Sequence, residues 1–167
     1  MLLWITKLVH VTAISLWAGG LIALPFLLRQ KHDQRGEPLH RLHRLVRLLY
    51  VGWLSPAAFL GIGSGVALIF LRETFTEWFT LKLLFVGALA ALHVRIGLLI
   101  LSVFDPDGRL SPWGARLLTS ATLASVGGIL LAVLWKPEIP SAAWAPGLFR
   151  PGALGEMWPR ISAWVTP

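Results

Sequence analysis

Four long apolar runs, at about residues 2–28, 46–71, 79–104 and 114–135, constrain this chain more than any other feature of its sequence. Each matches or exceeds the ~20 residues that carry a helix across a ~30 Å hydrocarbon core. A backbone in lipid has to satisfy its own hydrogen bonds, so runs of this length and polarity read as helices and not strands. The 167 residues are 56% hydrophobic and 14% charged, whereas a soluble domain carries about 25% charged residues. The fold expected is all-α: an integral membrane, up-down four-helix bundle in which short loops make sequential helices antiparallel neighbours. The four-helix domain is expected over residues 1–136, followed by an irregular tail rich in Trp and Pro over 137–167.

Charge sets the expected orientation. Arg29, Lys31, Arg35, Arg41, Arg44 and Arg47 fall between the first two runs, opposed by Asp33 and Glu37. The positive-inside rule puts that segment in the cytoplasm and both termini outside, as a multi-pass protein of a bacterial inner membrane. Trp4, Trp78 and Trp135 then fall at the outer interface and Trp113 at the inner one, as an aromatic belt does. The first run is longer than a signal-peptide core and is followed by basic residues instead of a small-residue cleavage site, so it is expected to stay in the chain. The net charge of +7 is accounted for by topology and contact with membrane lipid headgroups, and no nucleic-acid partner is expected. With no cysteine in the chain, disulfides and thiolate metal sites are excluded.

Small residues mark two helices. Gly61 and Gly65 follow Pro56 in the second run, at a spacing that lets helices approach closely, and Pro56 is expected to kink that helix. Thr119, Thr122, Ser125 and Gly128 give the fourth run a small, mildly polar face, read as a packing surface. The tail holds Trp144, Trp158, Trp164 and Phe149 among prolines. It is expected on the outer membrane surface or, preferably, against other membrane subunits or a second copy of the chain.

Five histidines divide into two groups. His32, His40 and His43 belong to the basic segment and read as solvated, although His40 and His43 can share a helical face. His10 and His93 lie inside apolar runs, where an ionisable side chain marks a functional site by default because its burial is costly without a partner. Lys7 and His10 are three apart and share a helix face continued by Ile14 and Trp17; Lys82, Val86, Leu89 and His93 form a matching stripe on the third run. If both stripes face inward they build a basic, histidine-containing pocket suited to a cofactor with a metal and anionic groups, such as haem. His10 and His93 are the metal-ligand candidates, and Lys7 or Lys82 would stand near the anionic groups. Helical rise puts His93 roughly 8–10 Å deeper than His10, so ligation by both or by one alone stays open. Arg95 lies on another face.

Taken together, these residues resemble the HemJ-type protoporphyrinogen IX oxidase family. The resemblance rests on Trp4-x-x-Lys7-x-x-His10, Trp17-Ala18-Gly19, Leu24-Pro25, Ser55-Pro56 before a glycine-rich helix, "LKLLFVGALAALH" from Leu81 to His93, and Lys136-Pro137 after the fourth run. It covers residues 3–138 in order, and extends to the broader CopD-like group of four-helix membrane proteins. It implies haem b, oxidation of protoporphyrinogen IX with electrons passing to the respiratory chain, His10 as haem ligand, His93 as second ligand candidate, and Lys82 as a residue needed for activity. Phe26 stands where that family usually carries Arg, and "LLTSATL" replaces its usual acidic, proline-containing stretch. An alternative reading follows: an electron-transfer or structural accessory subunit of a larger respiratory or photosynthetic complex, docked through the tail. Copper transport of the CopD kind is disfavoured, because the chain offers only Met1 and Met157 as soft ligands.

Overall fold

A computed structural model describes residues 1–72, 77–104, 108 and 110–136, with the side chains of residues 72, 77 and 78 left aside. The expected tail and the Trp78 side chain of the outer belt fall outside the described residues. Those described are almost wholly helical, with no strand: α1 Leu2–Arg29, a 3-10 turn Gln30–Asp33, α2 Glu37–Arg47, a π-helical segment Leu48–Leu54, α3 Ser55–Arg72, α4 Glu77–Val103 and α5 Pro112–Trp135. Four helices are long and apolar enough to cross a membrane.

Of the expected sequential neighbours, the first and second spans and the third and fourth pack together, whereas, among the described residues, the second and third do not. α1 is the central helix: it packs most extensively on α3, and also against α5 and α4, while α4 and α5 pair closely with each other. Among the described residues α3 and α4, although consecutive, barely approach one another. The reason lies in where small and large side chains fall. Trp17, Leu21, Leu24 and Leu28 form one buried stripe on α1 at spacings of four, three and four. Leu89, Ile96, Ile100 and Val103 give α4 a comparable stripe, the seam geometry of interdigitating helices.

Glycines bring the helices together where the sequence indicated. A Cβ on Gly61 would touch Ile14 at 3.4 Å, so α3 rides close on α1. On α5, Thr122, Ser125 and Gly128 are buried as the packing face, with the Phe85 ring of α4 occupying the space a Gly128 side chain would need. Thr122 and Ser125 return their hydroxyl protons to the Leu118 and Ala121 carbonyls one turn back, at 2.8 and 2.9 Å, which lets a polar face sit inside an apolar bundle.

The basic segment, expected as a loop, folds as α2, an amphipathic helix that buries Leu42 and Val46 and exposes His40, Arg41 and Arg44. It runs on into the π-helical segment, and Pro56 explains that widening. Proline has no N–H to offer the carbonyl four residues back and its ring crowds that carbonyl, so the preceding turn opens to a wider bonding pattern. Ser55 closes it twice: its backbone N–H and its hydroxyl both donate to the Tyr50 carbonyl, the hydroxyl at 2.9 Å.

At this end of the bundle Lys31 reaches across to donate to the carbonyls of Val103 and Gly108, the latter at 2.7 Å, satisfying carbonyls left open where α4 ends. His32 donates to the Leu110 carbonyl at 3.2 Å, and His43 stacks on Phe104 with 4.2 Å between ring centroids. Ser111 caps α5 by accepting from the Gly114 N–H, with Pro112 in the first turn. Trp4 and Trp135 are exposed near one end of the bundle and Trp113 near the other, the arrangement expected of interfacial anchors.

Candidate functional site

The weak α3–α4 contact leaves a cleft between those helices, with α1 as its floor. His10, Ile14 and Trp17 line the floor, Gly61 and Gly65 one wall, and Lys82, Leu83 and Val86 the other. The cavity is about 80 Å³ and open on one side. Its lining is apolar except for His10 and Lys82, and no carboxylate lies among the described residues that form it.

His10 is held by α3. Its Nδ1 lies 2.9 Å from the Gly61 carbonyl oxygen and 3.1 Å from Ser64 Oγ. A carbonyl can only accept, and the Ser64 hydroxyl proton is already directed at the Leu60 carbonyl. Nδ1 is therefore a protonated nitrogen, donating to both; in the neutral form of the ring Nε2 keeps its lone pair. Gly65 permits the contact: a Cβ there would sit 2.9 Å from His10 Cε1. An imidazole whose N–H is tied to a backbone carbonyl while the other nitrogen stays unprotonated is the arrangement found in metal-bound histidines.

Lys82 shares the cleft with His10, and its ammonium lies 5.7 Å from the centroid of the Phe79 ring. Lys7, expected on the same face as His10, lies half-buried toward the helix end with its ammonium 4.9 Å over the Trp4 ring. The structure thus places Lys82 with His10 in the cleft lining and leaves Lys7 outside it.

His93 occupies a different place. It is not among the residues lining the cleft; Trp17, which is, donates its indole N–H to His93 Nδ1 at 3.3 Å. That bond requires Nδ1 unprotonated, so the ring proton is on Nε2, which faces Ser55 Oγ at 3.5 Å. Tyr50 stacks on the imidazole at 4.7 Å between centroids and donates its hydroxyl to the His93 carbonyl at 3.0 Å. With Ser55 donating to the Tyr50 carbonyl, the three residues close a ring of hydrogen bonds. Gly97 makes room for it, since a Cβ there would overlap the Tyr50 hydroxyl. Trp17 is two helical turns from His10, about 10 Å along α1, which agrees with the depth difference expected between the two histidines. Arg95 points outward, exposed.

Sequence reasoning did not assign roles to Ser64, Tyr50 or Ser55. A signal was present for Tyr50, the only tyrosine in the chain and one set in an apolar run. Ser64 and the Gly61 carbonyl gave no signal of their own, because their role depends on which face of α3 meets α1.

The cleft holds the two donor types a haem requires, an imidazole and an ammonium, on His10 and Lys82. The enclosed volume is smaller than the ~300–1,000 Å³ of sites that surround a drug-sized ligand, so a whole porphyrin fits only if α3 and α4 move apart along their open seam. Among the described residues no group of three or more His, Asp or Glu side chains gathers to hold a bare metal ion. In comparisons with known proteins, no family model, curated protein or solved structure matched the chain.

Proposed function

We propose that this chain is a haem-b-binding, multi-pass membrane redox protein similar to the HemJ-type oxidases, acting on a reduced tetrapyrrole or a comparable substrate. The observation that carries the reading is His10: its Nδ1–H is committed to the Gly61 carbonyl at 2.9 Å, and the residue lines a cleft shared with Lys82. His10 would hold the iron through Nε2, and Lys82 would receive a carboxylate of the cofactor or substrate. Lys7, one helical turn before His10 on α1, would add positive charge toward the same end. When bound, haem supplies a centre that takes up and passes on single electrons. His93 serves this site by holding Trp17 in the cleft floor, since its own ring nitrogens face Trp17 and Ser55.

The proposed orientation puts α2 on the cytoplasmic side of a bacterial inner membrane and both ends of the four-helix domain outside. The cleft, at the end of the bundle away from α2, then lies toward the external half of the bilayer.

The test is a visible spectrum of the purified full chain, with and without added haem. A Soret band and a reduced α-band in the b-haem range are expected for the native protein and absent from His10→Ala. A protein that takes up no haem, or His10→Ala with an unchanged spectrum, overturns the assignment. Rescue of a strain lacking protoporphyrinogen oxidase, lost in Lys82→Met, tests the substrate class separately.

A further inference from the structure

We propose that the α3–α4 seam is a sideways path from the bilayer, by which a lipid-dissolved amphiphile bearing a carboxylate reaches the cleft and seats its charge on Lys82. The inference deepens the reading above and rests on it for the identity of the ligand cleft, not for the iron.

Three observations converge. Among the described residues, α3 and α4 make almost no contact with one another, while each is fastened to other helices: α3 to α1, α4 to α5 and α1. The seam can therefore widen without undoing the main packing. Its margins are apolar and outward: Ile62, Val66 and Leu83 line the cleft and are each more than two-fifths exposed. In a membrane-spanning helix that exposure is to lipid tails, so the opening faces hydrocarbon and admits what dissolves there. Within, the ammonium of Lys82 has the Phe79 ring as a neighbour and no carboxylate among the described lining residues. A half-buried cation among apolar side chains is costly until an anion joins it. The walls fit an apolar body: Gly61 and Gly65 present no side chain, and Ile14, Val86 and Leu89 complete the surface. Among the described residues the seam offers a water-soluble anion no polar group besides His10 and Lys82, and a neutral lipid leaves the lysine unpaired. A carboxylate on an apolar frame satisfies both conditions.

The test uses the full chain in lipid nanodiscs and a sixteen-carbon fatty acid carrying a mid-chain diazirine, with the alcohol of the same chain as control. Illumination followed by peptide mass spectrometry should place the acid's label on the α3 and α4 segments, at least ten-fold above the alcohol. Lys82→Met should reduce the acid to the alcohol's level, and Lys82→Arg should retain most of the labelling. Because the chain has no cysteine, Val66→Cys with Leu83→Cys can be joined by a flexible bis-methanethiosulfonate. Linking should cut labelling at least ten-fold, and reduction should restore it. Labelling that ignores the link overturns the sideways path; equal labelling by acid and alcohol overturns the role of the charge. Competition by excess phosphatidylglycerol as strong as that by free palmitate also overturns it, since the site would then be a general anionic-lipid contact. Displacement by protoporphyrin IX ahead of palmitate assigns the carboxylate to a porphyrin, and the reverse assigns it to an acyl chain. A Soret band with no cleft labelling sinks this inference alone; labelling without any Soret band sinks the haem reading alone.

Discussion

Trp17 of α1 and His93 of α4 are joined across the bundle: the indole N–H donates to Nδ1 at 3.3 Å, and the rings meet edge to face with centroids 6.0 Å apart. Trp17 is only 2% exposed, so its N–H has no water to turn to and needs this acceptor. The bond links the cleft floor to the ring of Tyr50 and Ser55 around His93, and so to the π-helical turn that Pro56 imposes.

Removing that donor with Trp17→Phe should destabilise the protein, because Nδ1 of His93 is left unpaired and part of the core volume is lost. Interhelical hydrogen bonds in membranes are worth about 0.6 kcal/mol on average and up to about 1.7, and the cavity adds to that. In a double-mutant cycle with His93→Leu, read by unfolding in mixed detergent, the two effects should be less than additive. Strict additivity would show that the residues do not interact.

Gly65→Ala should cost haem uptake at little cost to the fold. Its Cβ arrives 2.9 Å from His10 Cε1, so the ring has to turn and surrender its Gly61 bond. Gly63→Ala is the matched control, because nothing lies within 4 Å of a Cβ there. Soret absorbance per protein should fall at least several-fold in the first and stay unchanged in the second.

Ser64→Ala tests how His10 is oriented. The hydroxyl is the second acceptor of the Nδ1 proton, at 3.1 Å, while the Gly61 carbonyl remains. Haem should still bind, with affinity weakened by up to the 10–100-fold typical of losing a partner behind a metal ligand. A titration indistinguishable from the native protein would assign the orientation to Gly61 alone.

Lys31→Met should loosen the end of the bundle away from the cleft. Its ammonium donates to the Val103 and Gly108 carbonyls, and leaving such acceptors unsatisfied costs about 1–3 kcal/mol. Faster protease nicking between α4 and α5, with haem binding intact, is the expected outcome.

Much of the architecture was legible without coordinates. The four apolar runs dictate helices because lipid offers the backbone no other partner, and the small residues Gly61, Thr122, Ser125 and Gly128 mark packing faces because nothing else allows such close approach. Lys7 and His10 could be set on one face by spacing alone. A helix from 37 to 47 was harder to see, since a segment so rich in Arg and His reads first as a loop, although Leu42 and Val46 hold the spacing that buries them.

Only the tertiary structure separated the two intramembrane histidines. Sequence spacing treats His10 and His93 alike, as polar residues on apolar faces, and cannot say which nitrogen of either ring is free. That is settled by the neighbours: the Gly61 carbonyl takes the proton of His10, while Trp17 and Ser55 face both nitrogens of His93. The open α3–α4 seam was hidden for the same reason. Each helix's composition records that it lies in an apolar setting, but which helices touch depends on the pairing of side-chain volumes across all of them at once.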